Sequence, residues 1–221
     1  MNCPICEKRK AARYCPAKGE TICAVCCGTE REISIDCPAD CSYLLAAHRY
    51  EDQHQRELPA DTPLLDAKIP QDVVYLHQDF LSGMAFAVAK FAAAHPETAD
   101  PDVLAAVEAL AQTHKTLSSG IFYEKPPAAP LPRELYSALA ASIMEARREA
   151  ARPGAASNSS PAPAAAKIKD SEIFALLVFL YRMGLLRTNS RPRARRFVQF
   201  LRGQFPAAPE LQREESRIIV P

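Results

Sequence analysis

Cys3-Pro4-Ile5-Cys6, followed by Ile22-Cys23-Ala24-Val25-Cys26-Cys27, decides how the first part of this chain folds. Both stretches contain the two-residue gap that lets one tight backbone knuckle present two sulfurs to a single ion. Cys15, Cys37 and Cys41 bring the total to eight cysteines, all within the first 41 of 221 residues. Eight thiolates are enough for two four-sulfur zinc sites.

Ligands and disulfides place a protein in different compartments, so that choice comes first. The opening Met1-Asn2-Cys3-Pro4 leaves no room for a charged segment and an apolar run, so no secretory signal is expected. The expectation is a cytoplasmic protein with reduced thiols, where disulfide frameworks are rare. The vicinal pair Cys26-Cys27 also suits a disulfide framework poorly. Zinc is the expected cofactor, as two ions, with a labile redox or iron–sulfur use as the alternative.

In cross-braced double-zinc modules the first and third ligand pairs hold one ion and the second and fourth hold the other. That order assigns Cys3, Cys6, Cys23 and Cys26 to one site. Cys15, Cys37 and Cys41 then form the second, with Cys27 as fourth ligand and His48 as its competitor. A sequential arrangement, in which Cys3, Cys6, Cys15 and a middle cysteine share an ion, stays open.

Arg13-Tyr14-Cys15-Pro16 followed by Ile22-Cys23-Ala24-Val25-Cys26 resembles the HIT-type zinc fingers and, more loosely, the MYND and B-box fingers. The resemblance covers about residues 3–48 and departs from the HIT pattern at Ala17-Lys18, where that family has another cysteine. It implies interleaved ligation of two zinc ions and a role in protein interaction.

Residues 1–50 carry a net charge of only +1, which argues against a strong phosphate-binding surface there. Glu32-Ile33-Ser34-Ile35-Asp36 alternates polar and apolar residues and predicts a short strand. A module this small buries too little apolar surface to fold without its metal.

Past residue 50 the pattern becomes helical. Residues 71–94 place Val73, Leu76, Phe80, Met84, Val88 and Phe91 at spacings of three and four, which predicts one amphipathic helix. Residues 101–119 repeat the pattern with Val103, Val107, Leu110 and Leu117, from an Asp100 cap to a Gly120 stop. A third helix, about 132–151, offers Leu135, Leu139 and Ile143. The fold class is therefore mainly α, a cross-braced double-zinc finger followed by an antiparallel helical bundle. His77, His95 and His114 lie in this region without a second ligand at helical spacing, so none is expected to bind metal.

Residues 153–166 hold nothing larger than asparagine or proline and predict a linker or insertion between residues 51–152 and 167–221. After it comes Ile173-Phe174-Ala175-Leu176-Leu177-Val178-Phe179-Leu180-Tyr181, capped by Asp170 or Ser171. It is too short to span a bilayer and is expected to bury itself in the bundle. Residues 182–202 then carry seven arginines and no acid. Phe197, Val198, Leu201 and Phe205 form the buried side of a last helix, and Arg195 and Arg202 are expected on one exposed flank. Arg191, Arg193, Arg195, Arg196 and Arg202 are candidate nucleic-acid contacts, or else partners of the eleven acids within residues 51–112.

With a net charge of +1, seven glycines, no G-x-S-x-G and no phosphate-binding glycine loop, an enzyme is the least expected class. The favoured expectation is a zinc-finger adaptor or scaffold whose partner is another protein and not a membrane. A nucleic-acid-associated factor using the arginines is one alternative. A thiol-based redox or metal-responsive switch at Cys26-Cys27 is the other.

Overall fold

The computed structural model describes residues 1–54, 57–151, 168–208 and 211. A cysteine-rich unit comes first, comprising β1 (Arg13–Cys15), β2 (Glu20–Ile22), α1 (Ala24–Glu30) and α2 (Ser42–Gln53). The two strands pair antiparallel, Arg13 opposite Ile22 and Cys15 opposite Glu20. Gly19 closes their turn at φ +67°, a left-handed backbone that glycine adopts without steric cost. The hairpin was not foreseen. The strand predicted over residues 32–36 is instead a tight turn, with the amides of Ile33, Ser34 and Ile35 all donating to the Glu30 carbonyl. Glu32 sits there at φ +53°, outside any strand conformation.

The rest is helical: α3 (Gln71–Leu76), α4 (Gln78–Ala94), α5 (Asp100–Ser118), α6 (Pro130–Ala150), α7 (Asp170–Arg187) and α8 (Arg196–Gly203). The predicted single helix over 71–94 breaks at His77, whose ring turns to Glu172 in the first turn of α7, 3.7 Å away. As a result the apolar stripe does not run through: Val73 packs on the core while Leu76 is 64% exposed. At the end of α5, Gly120 at φ +78° makes a Schellman closure, with Gly120 N–H donating to Leu117 O and Ile121 N–H to Thr116 O.

The core gathers Met84 and Val88 of α4, Val107 and Leu110 of α5, Leu135, Leu139 and Ile143 of α6, Ile173, Leu177 and Leu180 of α7, and Phe197 and Leu201 of α8. The near-continuous apolar run of α7 is explained by its place, packed most extensively on α5. Gly184 allows the closest approach: a methyl there would meet Leu104 Cδ2 and Phe197 Cε1 at 2.8 Å. Arg182, on the same helix, donates to the carbonyls of Leu64, Leu65 and Ala67 and so ties the segment between α2 and α3 to the body. The predicted linker 153–166 and the end of the chain, residues 212–221, lie outside the described residues.

Two helix caps differ from the sequence expectation. Asp100 is the first residue of α5 rather than its cap; Asp102 takes that role, its carboxylate accepting the Ala99 N–H at 2.9 Å. In α7 neither Asp170 nor Ser171 caps: Glu172 accepts the Lys169 N–H at 2.7 Å, and Asp170 is drawn to Arg147 and His114.

Candidate metal centre

The loop from Cys3 to Arg9 folds back on itself, with Cys3 N–H donating to Arg9 O at 2.8 Å and Glu7 N–H to Cys3 O at 2.7 Å. Glu7, at φ +54°, takes the left-handed conformation that completes this knuckle. It leaves the amides of Lys8 and Arg9 aimed at Cys6 and pulls that thiol down to about 6. Cys23 caps the second knuckle, its sulfur accepting the Cys26 N–H at 3.3 Å at the start of α1. The hairpin between the two knuckles brings them face to face.

The Sγ atoms of Cys3, Cys6, Cys23 and Cys26 all lie within 4.8 Å of one another, and Cys6 and Cys23 are 3.9 Å apart. Four sulfurs bound tetrahedrally to zinc at about 2.3 Å stand about 3.8 Å from each other, and a disulfide needs about 2 Å. The spacing fits a bound ion and not a disulfide. Cys3, Cys23 and Cys26 are buried, around Ile22 and Ile35. Burial and the neighbouring Cys23 push the Cys26 thiol up to about 12, whereas the backbone lowers Cys6. Four thiolates at this spacing repel one another, so a cation is what allows all of them to ionise together. No second group as closely gathered is found among the described residues. The group is the first set of the interleaved order; Cys15, required by the sequential order, is not in it.

The other four cysteines converge without closing to the same degree. Cys15 ends β1, Cys27 lies on α1, Cys37 follows the turn, and Cys41 precedes α2 as its N-cap. All four line one cavity of about 10 Å³, together with Ile35 and Leu44. Such a volume holds about one small atom. The Cys37 thiol is pushed up by burial, and the negative fields of Cys41, Glu32 and Cys15 act in the same direction. His48, the competitor for the fourth position, turns elsewhere: its Nε2 stands 3.5 Å from Glu32 Oε1.

Glu32 is the residue that sequence reading missed. It is 3% exposed, and despite that burial His48 and Asn189 hold its carboxyl below the usual range. Asn189 Nδ2 donates to the Glu32 carboxylate at 2.8 Å, and the Glu32 backbone carbonyl accepts the Arg193 N–H at 2.8 Å. An acid in an alternating pentapeptide gave no signal of this, because Asn189 and Arg193 lie more than 150 residues away and His48 reaches it from another element.

The arginines cluster where the cysteine-rich unit meets the helical body. Arg191 Nη1 donates to Gly28 O at 3.1 Å and also to Arg31 O. Arg195 pairs with Asp36, and Arg196 with Asp52 of α2. Arg193 is half exposed and 4.0 Å from Asp36, and Arg202 donates to Leu211 O at 3.0 Å. Arg195 and Arg202 are thus half-buried and engaged rather than sharing an open flank. Of the remaining histidines, His77, His95 and His114 stand beside Glu172, Glu97 and Asp170.

No family model, curated protein or solved structure matches this chain. The likeness to a zinc-finger site therefore rests on the Cys3, Cys6, Cys23 and Cys26 cluster itself. No helix among the described residues is long and apolar enough to cross a membrane.

Proposed function

We propose that this chain is a non-enzymatic zinc-finger protein acting as a protein-interaction adaptor or scaffold, with two structural zinc ions in its first 50 residues. The observation that carries the reading is the closed set Cys3, Cys6, Cys23 and Cys26. Four protein sulfurs complete a tetrahedral zinc and leave no position for water or substrate, so the ion shapes a surface instead of performing chemistry. That surface exposes Ile5, Tyr14 and Val25, side chains suited to a protein face.

The second ion is supported by the shared cavity of Cys15, Cys27, Cys37 and Cys41. The division of the vicinal pair points the same way. Cys26 belongs to the first group and Cys27 to the second cavity, which favours two structural sites over a thiol switch at Cys26-Cys27. The engagement of Arg191, Arg195 and Arg196 with Gly28, Asp36 and Asp52 favours the adaptor over a nucleic-acid factor.

Elemental analysis of the purified chain is expected to find two zinc ions, and one ion would remove the second site. Photo-crosslinking residues placed at Tyr14 and Val25 in the native cell are expected to capture protein. Adducts to nucleic acid alone would overturn the adaptor reading.

A further inference from the structure

The two sets of cysteines differ in what they hold in place. The bonds seen from the first 41 residues to the arginine loop come from the stretch between Cys27 and Cys37: Gly28 and Arg31 through their carbonyls, Glu32 through both carbonyl and carboxylate, and Asp36 through its carboxylate. Cys27 and Cys37 both line the second cavity. None of these contacts involves a residue between Cys3 and Cys26. The second set is also the more open: Cys27, Cys37 and Cys41 are half-buried and only Cys15 is buried, whereas in the first set only Cys6 is half-buried.

We infer that a metal ion held by Cys15, Cys27, Cys37 and Cys41 is an exchangeable clamp that docks the cysteine-rich unit onto the loop Thr188–Arg196, and that its loss uncovers Arg191, Arg193, Arg195 and Arg196 while the first site stays filled. The inference rests on the two-ion reading above. Its physical basis is that both ends of the docking segment, residues 28–36, are tied to one centre. Without that centre the turn at Glu32, whose left-handed backbone is disfavoured for most residues but glycine, keeps its bonds to the Glu30 carbonyl and its pairing with His48 but loses the tether at both ends. By linkage, the dock in turn strengthens the ion's hold.

The test uses the full chain loaded with zinc and a chelator added in steps, with released zinc, hydrogen exchange at the Arg193 amide and tryptic cleavage after Arg193 and Arg195 followed together. One ion is expected to leave first, and with its loss the Arg193 amide, bonded to Glu32 O, exchanges freely and the loop is cut. Helices α4–α7 stay protected throughout. Because Cys37→Ser alters the site itself and cannot separate the ion from the dock, the reverse perturbation is made from the helical side with R191Q. Reciprocity expects the first-released ion to be bound roughly 5–150-fold more weakly in that variant, read from the chelator concentration that removes it, with the other ion unchanged. A chain that binds one ion overturns the two-ion reading and the clamp with it. A chain that binds two, but keeps its loop protected after losing one or holds both ions in R191Q as tightly as in the parent, overturns the clamp alone.

Discussion

The buried carboxylate of Asp100 accepts the backbone N–H of Val198 at 3.0 Å, and its other oxygen takes the N–H of Phe197 at 3.1 Å. An acid at the first position of one helix therefore caps another, almost a hundred residues on. Arg195, the N-cap residue of α8, makes no side-chain cap bond of its own.

Asp100→Ala would leave two buried N–H donors without an acceptor. The expected loss is about 1–3 kcal/mol of stability in urea unfolding, with Asp100→Asn losing less because one oxygen remains. An Ala variant as stable as the parent would show that water replaces the cap without cost.

Gly184→Ala puts a methyl group 2.8 Å from Leu104 and Phe197, where α7, α5 and α8 meet. Overpacking of this kind costs about 1–3 kcal/mol. Differential scanning calorimetry should show a lowered midpoint; Gly203→Ala, where nothing lies within 4 Å, serves as the comparison.

His114 Nδ1 stands 2.9 Å from Asp170 Oδ1, and burial lowers its pKa despite that carboxylate. The unfolded chain then takes up this proton first. Stability from the group is present above the ordinary histidine value of about 6.5 and is lost as pH falls below it. Asp170, itself lowered through Arg147 and His114, reinforces the loss further into acid. Urea midpoints of the helical signal between pH 8 and pH 5 should fall in the parent and fall less in His114→Gln. Parallel curves would mean that this histidine takes no part.

Complete removal of metal should unfold the first 50 residues and leave α4–α7 helical. The apparent folding free energy carried by a structural zinc is on the order of 10–16 kcal/mol, far more than a unit of this size gathers by burial. Amide exchange with excess chelator reads the two regions separately. Retained protection at Cys23–Glu30 would show that the unit stands without an ion.

The first metal group was legible because two C-x-x-C knuckles announce themselves by spacing alone, and their pairing follows from order. The core positions of α4–α8 were legible for a similar reason, since Val107, Leu110, Leu139 and Ile143 repeat at the helical period. What was hidden depended on distant partners. The strands Arg13–Cys15 and Glu20–Ile22 are three residues each, too short for periodicity to speak. Glu32 left its expected strand for a left-handed turn that faces Asn189 and His48. His77 interrupts a continuous stripe beside Glu172, with neither glycine nor proline at the break to announce it. The arginine run read equally well as a polyanion surface or as an internal one, and only the positions of Gly28, Asp36 and Asp52 show what it touches.

Arg182 grips the carbonyls of Leu64, Leu65 and Ala67 from α7, the same helix whose end leads into the arginine loop. The eleven peptide steps from Gln53, the end of α2, to Leu64 span at most about 40 Å. A cysteine-rich unit that let go of its dock would therefore still be leashed beside it. Its return would be a unimolecular search within that radius, at an effective concentration on the order of millimolar and independent of how dilute the protein is. An external competitor for the same loop would have to overcome that local excess, so tether length sets a threshold for capture as much as the contacts do.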